Sequence, residues 1–127
     1  MSLHTTLEIG HNGVATARLS GRLDGVSHAD LDRDLQPWLV SPEIHTIVLE
    51  LDQLNYISSA GLRSIFRARK ALSERSGRLL VVKPQPQIQK VFDIVKAVPL
   101  REIFQSVQEL DRYLDRIQAK MLDPDLE

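Results

Sequence analysis

Residues 55–69, NYISSAGLRSIFRAR, mark a change from strand periodicity to helix periodicity. Before this segment, β-branched and aliphatic residues form a short run at Ile44, Ile47, Val48, Leu49 and Leu51, which is typical of a strand covered on both faces. After it, apolar residues recur at helical spacing, at Leu62, Ile65, Phe66 and Leu72. The switch places Ser58 and Ser59 at the start of a helix, where free backbone N–H groups and the helix dipole favour an anion.

Two interpretations of the serine pair are open. Serine is a preferred residue at the helix N-cap, so the pair can serve only to cap the helix. The neighbouring Ala60 and Gly61 are small, however, which favours a turn that another group approaches closely. Among the side chains that follow, Arg63, Arg67 and Lys70 lie away from the apolar stripe and are expected to be exposed.

The first part of the chain predicts a hairpin and a helix. The Asn-Gly pair at 12–13 predicts a turn between strands over 7–9 and 14–19. Residues 21–25 are expected to form a turn, and Ser27 with Asp30 resembles a capping box before a helix that runs from His28 towards Leu39. Pro37 is expected to kink or shorten the last turn of this helix.

The second part alternates in the same way. A buried strand is predicted over 79–82, followed by a helix that begins near Pro86 and ends before Pro99. A short strand is expected around Ile103 and Phe104, and Ser106 with Glu109 forms a second capping box at the start of a long last helix. The pattern predicts an α/β fold with one domain over 1–127. Its mixed sheet of four to five strands packs against about four helices, the last helix reaches about 122, and an acidic tail covers 123–127.

Composition and motifs exclude several classes of function. The chain has 127 residues, a net charge of −1 and no cysteine, which argues against bulk nucleic acid as a partner and against thiolate metal sites. The four histidines lack metal-ligand spacing, and the chain has no phosphate-binding glycine loop and no G-x-S-x-G elbow. No apolar run approaches the length of a membrane span. We therefore expect a cytoplasmic protein that is not an enzyme and that needs neither metal nor cofactor.

Two segments carry a resemblance to a known family. The strand VLELD at 48–52 with the turn ISSAGLR at 57–63, together with GRLD at 21–24, resembles the STAS domain of bacterial anti-sigma factor antagonists and of the cytoplasmic tails of sulfate transporters. The resemblance covers about residues 7–114. It implies strands packed against about four helices on one side. It also implies that a partner kinase phosphorylates Ser59, with Ser58 as the second candidate. Where sporulation-type members carry aspartate, this chain has Ser58 and Glu50.

The resemblance also implies a function and partners. An antagonist of this type would bind an anti-sigma factor that is a serine kinase of the histidine-kinase-like ATPase type, and a metal-dependent serine phosphatase would reset it. The expected contact residues lie in the 21–25 turn, the strand before the serine turn, the serine turn and the following helix: Gly21, Arg22, Asp24, Asp52, Ser58, Gly61, Arg63 and Arg67. The alternative is a constitutive STAS adaptor or scaffold, either an accessory of lipid or anion transport or a subunit of a signalling complex, without phosphorylation. A homodimer through the last helix also stays open.

Overall fold

A computed structural model describes residues 3–97 and 106–125. Its sheet contains β1 (Leu3–Ile9), β2 (Val14–Leu23), β3 (Thr46–Ile57) and β4 (Arg78–Val82), in the order β1-β2-β3-β4. The β1–β2 pair is antiparallel, whereas β2–β3 and β3–β4 are parallel, so the sheet is mixed as predicted. The stop at Pro99 and the strand predicted around Ile103 and Phe104 lie outside the described residues.

The hairpin prediction is confirmed, but the prediction for residues 21–25 is partly wrong. Asn12 and Gly13 both have positive φ, 60° and 78°, as the Asn-Gly turn requires. β2 continues to Leu23, so that the turn begins only at Asp24. Gly21 lies within the strand at φ 101°, beside a register shift between β2 and β3, and its positive φ suits a glycine at such an irregularity.

Within residues 3–97 and 106–125, four helices pack with the sheet: α1 (His28–Val40), α2 (Ser59–Ser73), α3 (Pro86–Ala97) and α4 (Val107–Leu122). The predicted α/β architecture with four helices is therefore confirmed. α1 continues past Pro37 to Val40, so the predicted shortening is wrong. Proline removes one backbone donor, but the helix continues past it and the next residue, Trp38, is buried in the core.

The two predicted capping boxes differ in outcome. Ser27 has a helical backbone and its side chain makes no cap, because its Oγ donates instead to the Arg22 carbonyl at 2.7 Å. The capping box predicted for Ser27 and Asp30 is therefore wrong. Ser106 does cap α4, since its Oγ accepts a hydrogen bond from the Glu109 N–H at 3.1 Å.

One face of the sheet carries the core. Buried side chains alternate along β2 and β3, at Ala15, Ala17, Leu19, Ile47, Leu49 and Leu51, and they join buried residues of all four helices in one cluster. Val48 on the opposite face of β3 is only half-buried, and Leu80 of β4 is 39% exposed. The expectation that β3 is covered on both faces is therefore wrong, because the described helices cover a single face of the sheet. The buried strand predicted over 79–82 is wrong as well, since no residue of β4 is fully buried.

Across residues 3–97 and 106–125, no helix is both long enough and apolar enough to cross a membrane. The same residues contain no group of three or more histidine, cysteine or acidic side chains that could hold a metal ion.

Candidate functional site

The serine pair lies where β3 ends and α2 begins. Ser58 is the N-cap of α2, and its Oγ accepts a hydrogen bond from the Gly61 N–H at 3.2 Å. Its own backbone N–H donates to the Leu23 carbonyl at 2.9 Å, which ties the junction to the end of β2. The predicted placement of the serines at a helix N-terminus is confirmed, and capping is the role of Ser58.

Ser59 is the first residue of α2 and is in a different situation. The residue is only 5% exposed, and its buried Oγ has no hydrogen-bond partner among the described residues. Its backbone N–H, one of the free donors at the start of a helix, donates to Oδ1 of Asp111 in α4 at 2.9 Å. A carboxylate of the chain itself therefore occupies the place where the helix dipole favours an anion.

Gly61 is required by the close approach of β2. A Cβ at this position would lie 2.7 Å from Cγ and 2.8 Å from the carbonyl oxygen of Leu23. A backbone oxygen at that distance cannot yield without a shift of the strand. The sequence indicated a group that approaches this turn closely, and the described contact is made by Leu23 of the same chain.

Glutamine side chains form hydrogen bonds with the backbone of β3 beyond the end of β4. β4 pairs only with residues 46–50 of β3, so the backbone beyond them has no strand partner on that side among the described residues. Gln85 donates to the Asp52 carbonyl at 2.8 Å, and Gln87 donates to the Asn55 carbonyl at 3.1 Å. These contacts fix the start of α3 against the same edge that leads into the serine turn.

Gln118 of α4 completes this edge next to the serines. Its Oε1 accepts from the Ile57 N–H at 3.0 Å, and its Nε2 donates to the Ile57 carbonyl at 2.8 Å. Gln118 is 2% exposed and Ile57 is fully buried, so neither group of the Ile57 backbone can turn to water instead. α4 is thereby hydrogen-bonded to the last residue of β3, directly before Ser58.

A third contact joins α4 to the same junction. The hydroxyl of Tyr56 donates to Oδ1 of Asp115, and the Arg22 guanidinium lies over the Tyr56 ring, 3.9 Å from its centre. Burial raises the pKa of the Tyr56 hydroxyl well above its ordinary value, and the carboxylate of Asp115 raises it further. Tyr56 is therefore a neutral donor at any physiological pH.

Asp24 organises the turn between β2 and α1. Its Oδ1 accepts hydrogen bonds from the backbone N–H groups of Val26 and Ser27, both at 3.0 Å, and its Oδ2 lies 3.5 Å from Nε of Arg22. Partial burial alone would raise the pKa of Asp24. The hydrogen bonds from Ser27 and Val26, together with the charge of Arg22, outweigh burial and lower the pKa below its usual value.

The structure gathers some of the predicted contact residues and separates others. Ser58, Ser59 and Gly61 share the junction, and Arg22 adjoins it through Tyr56. Asp52 is exposed on β3, five residues before Ile57, which corresponds to about 16 Å along a strand. It does not join the junction.

The two arginines predicted on α2 are both exposed, but they differ in their partners. Arg67 donates to Asp32 of α1 at 3.0 Å and to Ser64 at 3.3 Å, so it already has an intramolecular role. Arg63 makes no ion pair with any residue in the described part of the chain.

Sequence reasoning missed the contribution of α4 to this site. Asp111, Asp115 and Gln118 follow one another at helical spacing and all three bond to residues 56–59. The sequence gives this helix an apolar stripe at Val107, Leu110, Leu114, Ile117 and Met121, which predicts core. Leu114 is fully buried, whereas Val107 and Met121 are exposed, so the prediction is only partly correct. The sequence did contain a signal for these contacts: Asp111 directly follows Leu110, and Gln118 directly follows Ile117, both residues of that stripe. Polar side chains beside a core stripe are candidates for buried hydrogen bonds.

Comparison with known proteins agrees with this fold. The STAS domain family matches residues 9–110 of the chain. BtrV of Bordetella bronchiseptica, which is assigned as an anti-sigma factor antagonist, is 32% identical over 83 residues, or 65% of this chain and 71% of BtrV.

Solved structures share the fold at lower identity. An anti-sigma factor antagonist from Mycobacterium paratuberculosis superposes with a TM-score of 0.64 at 22% identity, over 91% of this chain and 94% of that one. The unphosphorylated form of the anti-sigma factor antagonist SpoIIAA gives a TM-score of 0.63 at 22% identity, over 71% of this chain and 82% of that one. The phosphorylated form of Bacillus SpoIIAA gives the same TM-score and identity, over 72% and 83%.

The family match over most of the chain, together with the shared fold, defines the class of this α/β domain. The chain belongs to the STAS domain family and is of its anti-sigma factor antagonist type. Antagonists of this type are regulators without enzymatic activity, in agreement with the expectation from the sequence.

Proposed function

We propose that this protein is a cytoplasmic, phosphorylation-controlled antagonist that binds an anti-sigma factor and is released when Ser59 is phosphorylated. Two comparisons support this proposal. BtrV is assigned as an antagonist of an anti-sigma factor, and SpoIIAA has been solved in unphosphorylated and phosphorylated forms. The junction between β3 and α2 supplies the serine that such a switch needs.

The observation that carries the proposal is the difference between the two serines. The Oγ of Ser58 is already an acceptor for the Gly61 N–H, so a phosphate there would disturb a cap that contributes about 1 kcal/mol. The Oγ of Ser59 has no partner among the described residues and is free to react once it is reached. Ser59 is therefore the phosphorylated residue of the proposal.

The proposed partner is a serine kinase of the histidine-kinase-like ATPase type that also holds a sigma factor. In the transfer, a bond forms between Ser59 Oγ and the γ-phosphorus of ATP as the bond from that phosphorus to ADP breaks, and the hydroxyl proton passes to a base of the kinase. A metal-dependent serine phosphatase then hydrolyses the phosphoester and restores the hydroxyl. The phosphate brings about −1.5 to −2 charges to the junction, which disfavours the complex by repulsion and desolvation.

The proposed contact surface continues from the junction along the exposed side of α2. Arg63 lies one turn after Ser59 and makes no ion pair within the described residues, so it is available to an acidic group of the partner. Phe66 is 38% exposed, although its spacing predicted core, and it lines a groove of about 390 Å³ together with Arg69 and Phe92. An exposed aromatic beside arginines is typical of the centre of a protein interface.

The proposal is tested by binding and by mass. We expect Ser59→Asp to lose binding to the anti-sigma factor kinase in isothermal titration calorimetry, whereas Ser59→Ala binds and is not phosphorylated. Ser76→Asp is the matched control, because Ser76 is exposed beyond the far end of α2, whose 15 residues span about 22 Å by helical rise. Intact mass after incubation with ATP and the kinase should increase by one phosphate, mapped to the peptide with Ser59. Unimpaired binding of Ser59→Asp, or no phosphate on Ser59, would contradict the proposal.

A second candidate function is favoured by the burial of the same serine. Because Ser59 is only 5% exposed, a kinase cannot reach its hydroxyl in this conformation. A constitutive STAS adaptor or scaffold, in which Ser59 only packs, would require no such access. The same mass measurement decides between the two functions, since the adaptor acquires no phosphate with any kinase of its own genome.

A further inference from the structure

α4 is hydrogen-bonded to the serine turn through three polar side chains. Asp111 accepts from the Ser59 N–H, Asp115 accepts from the Tyr56 hydroxyl, and Gln118 bonds both backbone groups of Ile57. These contacts connect residues more than fifty positions apart in the chain. The conformation in which they form is called docked α4 below.

Docked α4 and a phosphate on Ser59 compete for the same place. The Asp111 carboxylate already takes the Ser59 N–H, which a phosphate on that residue would otherwise use. The Oγ that would carry the phosphate is buried and has no hydrogen-bond partner among the described residues, so a phosphate cannot be added there unless the surrounding groups move. Asp111 and Asp115 would also present two negative charges to the phosphate.

We propose that a phosphate on Ser59 and docked α4 exclude one another, so that phosphorylation releases α4 from the serine turn. The inference rests on the proposed function, because it takes Ser59 as the modified residue. The kinase acts on molecules in which α4 has moved away, and the phosphate then prevents its return. Phosphorylation thus changes the shape of the domain as well as its charge.

The release has a measurable local consequence. Leu114 is fully buried when α4 is docked, and its side chain leaves the core when α4 moves away. A free helix of 16 residues is marginally stable in water, so its backbone amides lose protection when it no longer packs. The sheet keeps its β1–β2–β3 pairing and stays protected.

The test uses the full chain with phosphoserine incorporated genetically at position 59, which requires no kinase. Hydrogen exchange of peptides from α4 is followed by mass spectrometry and compared with the unmodified protein. We expect exchange at least tenfold faster in α4 and unchanged protection in peptides from β2 and β3. Phosphoserine at exposed position 76 is the matched control and should leave α4 protected. Equal protection of α4 with and without phosphate at 59, or loss of protection throughout the sheet, would overturn the proposal.

A second variant isolates the charge of Asp111. Asp111→Asn keeps an acceptor for the Ser59 N–H but removes the negative charge, so the release caused by phosphoserine 59 should fall at least threefold. Asp93→Asn makes the same change at an exposed position of α3 and should have no effect. If α4 is released equally in the Asp111→Asn and Asp93→Asn variants, the charge of Asp111 does not contribute to the release.

The two proposals fail separately. If phosphoserine 59 abolishes partner binding while α4 remains protected, the release of α4 is wrong and the proposed function stands. If phosphoserine 59 releases α4 while the anti-sigma factor binds as before, the release is correct and the proposed function is wrong.

Discussion

Replacement of Gln118 by methionine should destabilise the domain by removing the link between α4 and β3. The glutamine amide accepts from the Ile57 N–H at 3.0 Å and donates to the Ile57 carbonyl at 2.8 Å. Methionine has a similar length and volume but can make neither bond. Both backbone groups of Ile57 are then left in a buried position without a strand partner, because β4 does not extend this far.

The magnitude follows from the two lost hydrogen bonds. A buried polar group without a partner costs about 1–3 kcal/mol, and Gln118→Met leaves two of them. Removing a buried amide from the side chain recovers about 1 kcal/mol. The expected loss in the free energy of unfolding is therefore about 3 kcal/mol, which lowers the Tm of a domain of this size by about 10 °C. This loss in the free energy of unfolding cannot exceed the free energy with which α4 packs on the sheet. Once α4 has moved away, water reaches the Ile57 backbone and replaces the lost hydrogen bonds.

Urea unfolding of the full chain, followed by far-UV circular dichroism, measures this loss. Gln108→Met is the matched control, because Gln108 lies in the first turn of the same helix and is exposed. The control should change the free energy of unfolding by less than about 0.5 kcal/mol. If Gln118→Met falls within the same limit, the glutamine does not satisfy the Ile57 backbone, and the account of how α4 is held would be refuted.

Three further changes test other parts of the fold. Gly61→Ala should cost about 1–2 kcal/mol in urea unfolding, since a Cβ would lie 2.8 Å from the Leu23 carbonyl oxygen, whereas Gly25→Ala meets nothing within 4 Å and should be neutral. Asp24→Asn should lower the Tm at pH 7, and the difference from the unchanged protein should shrink as pH falls below the unfolded pKa of about 3.8. The folded state depresses the Asp24 pKa, so its stabilisation is present above the unfolded value and disappears as pH falls through the folded value. Ser106→Ala should cost about 1 kcal/mol of stability through the lost N-cap of α4, and an unchanged midpoint would contradict that role.

Local signals predicted the elements and the serine turn. The change from strand to helix periodicity after Ile57 involves neighbours in sequence, and so does the bond from the Gly61 N–H to Ser58. The Asn-Gly hairpin turn is likewise decided by two adjacent residues with positive φ. Such features depend on a few consecutive side chains, which is why the order and type of the described elements could be predicted from the sequence.

The rest of the site depends on contacts between distant residues. Asp111 meets Ser59 across 52 positions, and Gln118 meets Ile57 across 61. No periodicity indicates which carboxylate or amide of an amphipathic helix will reach a particular backbone group, because that depends on how the helix docks. The length of β4 could not be predicted either, although it determines which residues of β3 need hydrogen-bond partners other than a strand.

This chain carries Ser58 where sporulation-type members carry aspartate, and the contact between Asp111 and Ser59 gives this difference a physical consequence. Those members carry an aspartate directly before the phosphorylated serine, and the covalent chain holds that carboxylate at the turn. Here Ser58 takes the position and acts as the cap, while Asp111 brings a carboxylate to the Ser59 N–H from a separate helix. A carboxylate on a separate helix can leave when that helix moves. In the proposed release, the negative charge at the turn is coupled to the packing of Leu114 and Gln118, so the contacts that stabilise α4 would also govern access to Ser59.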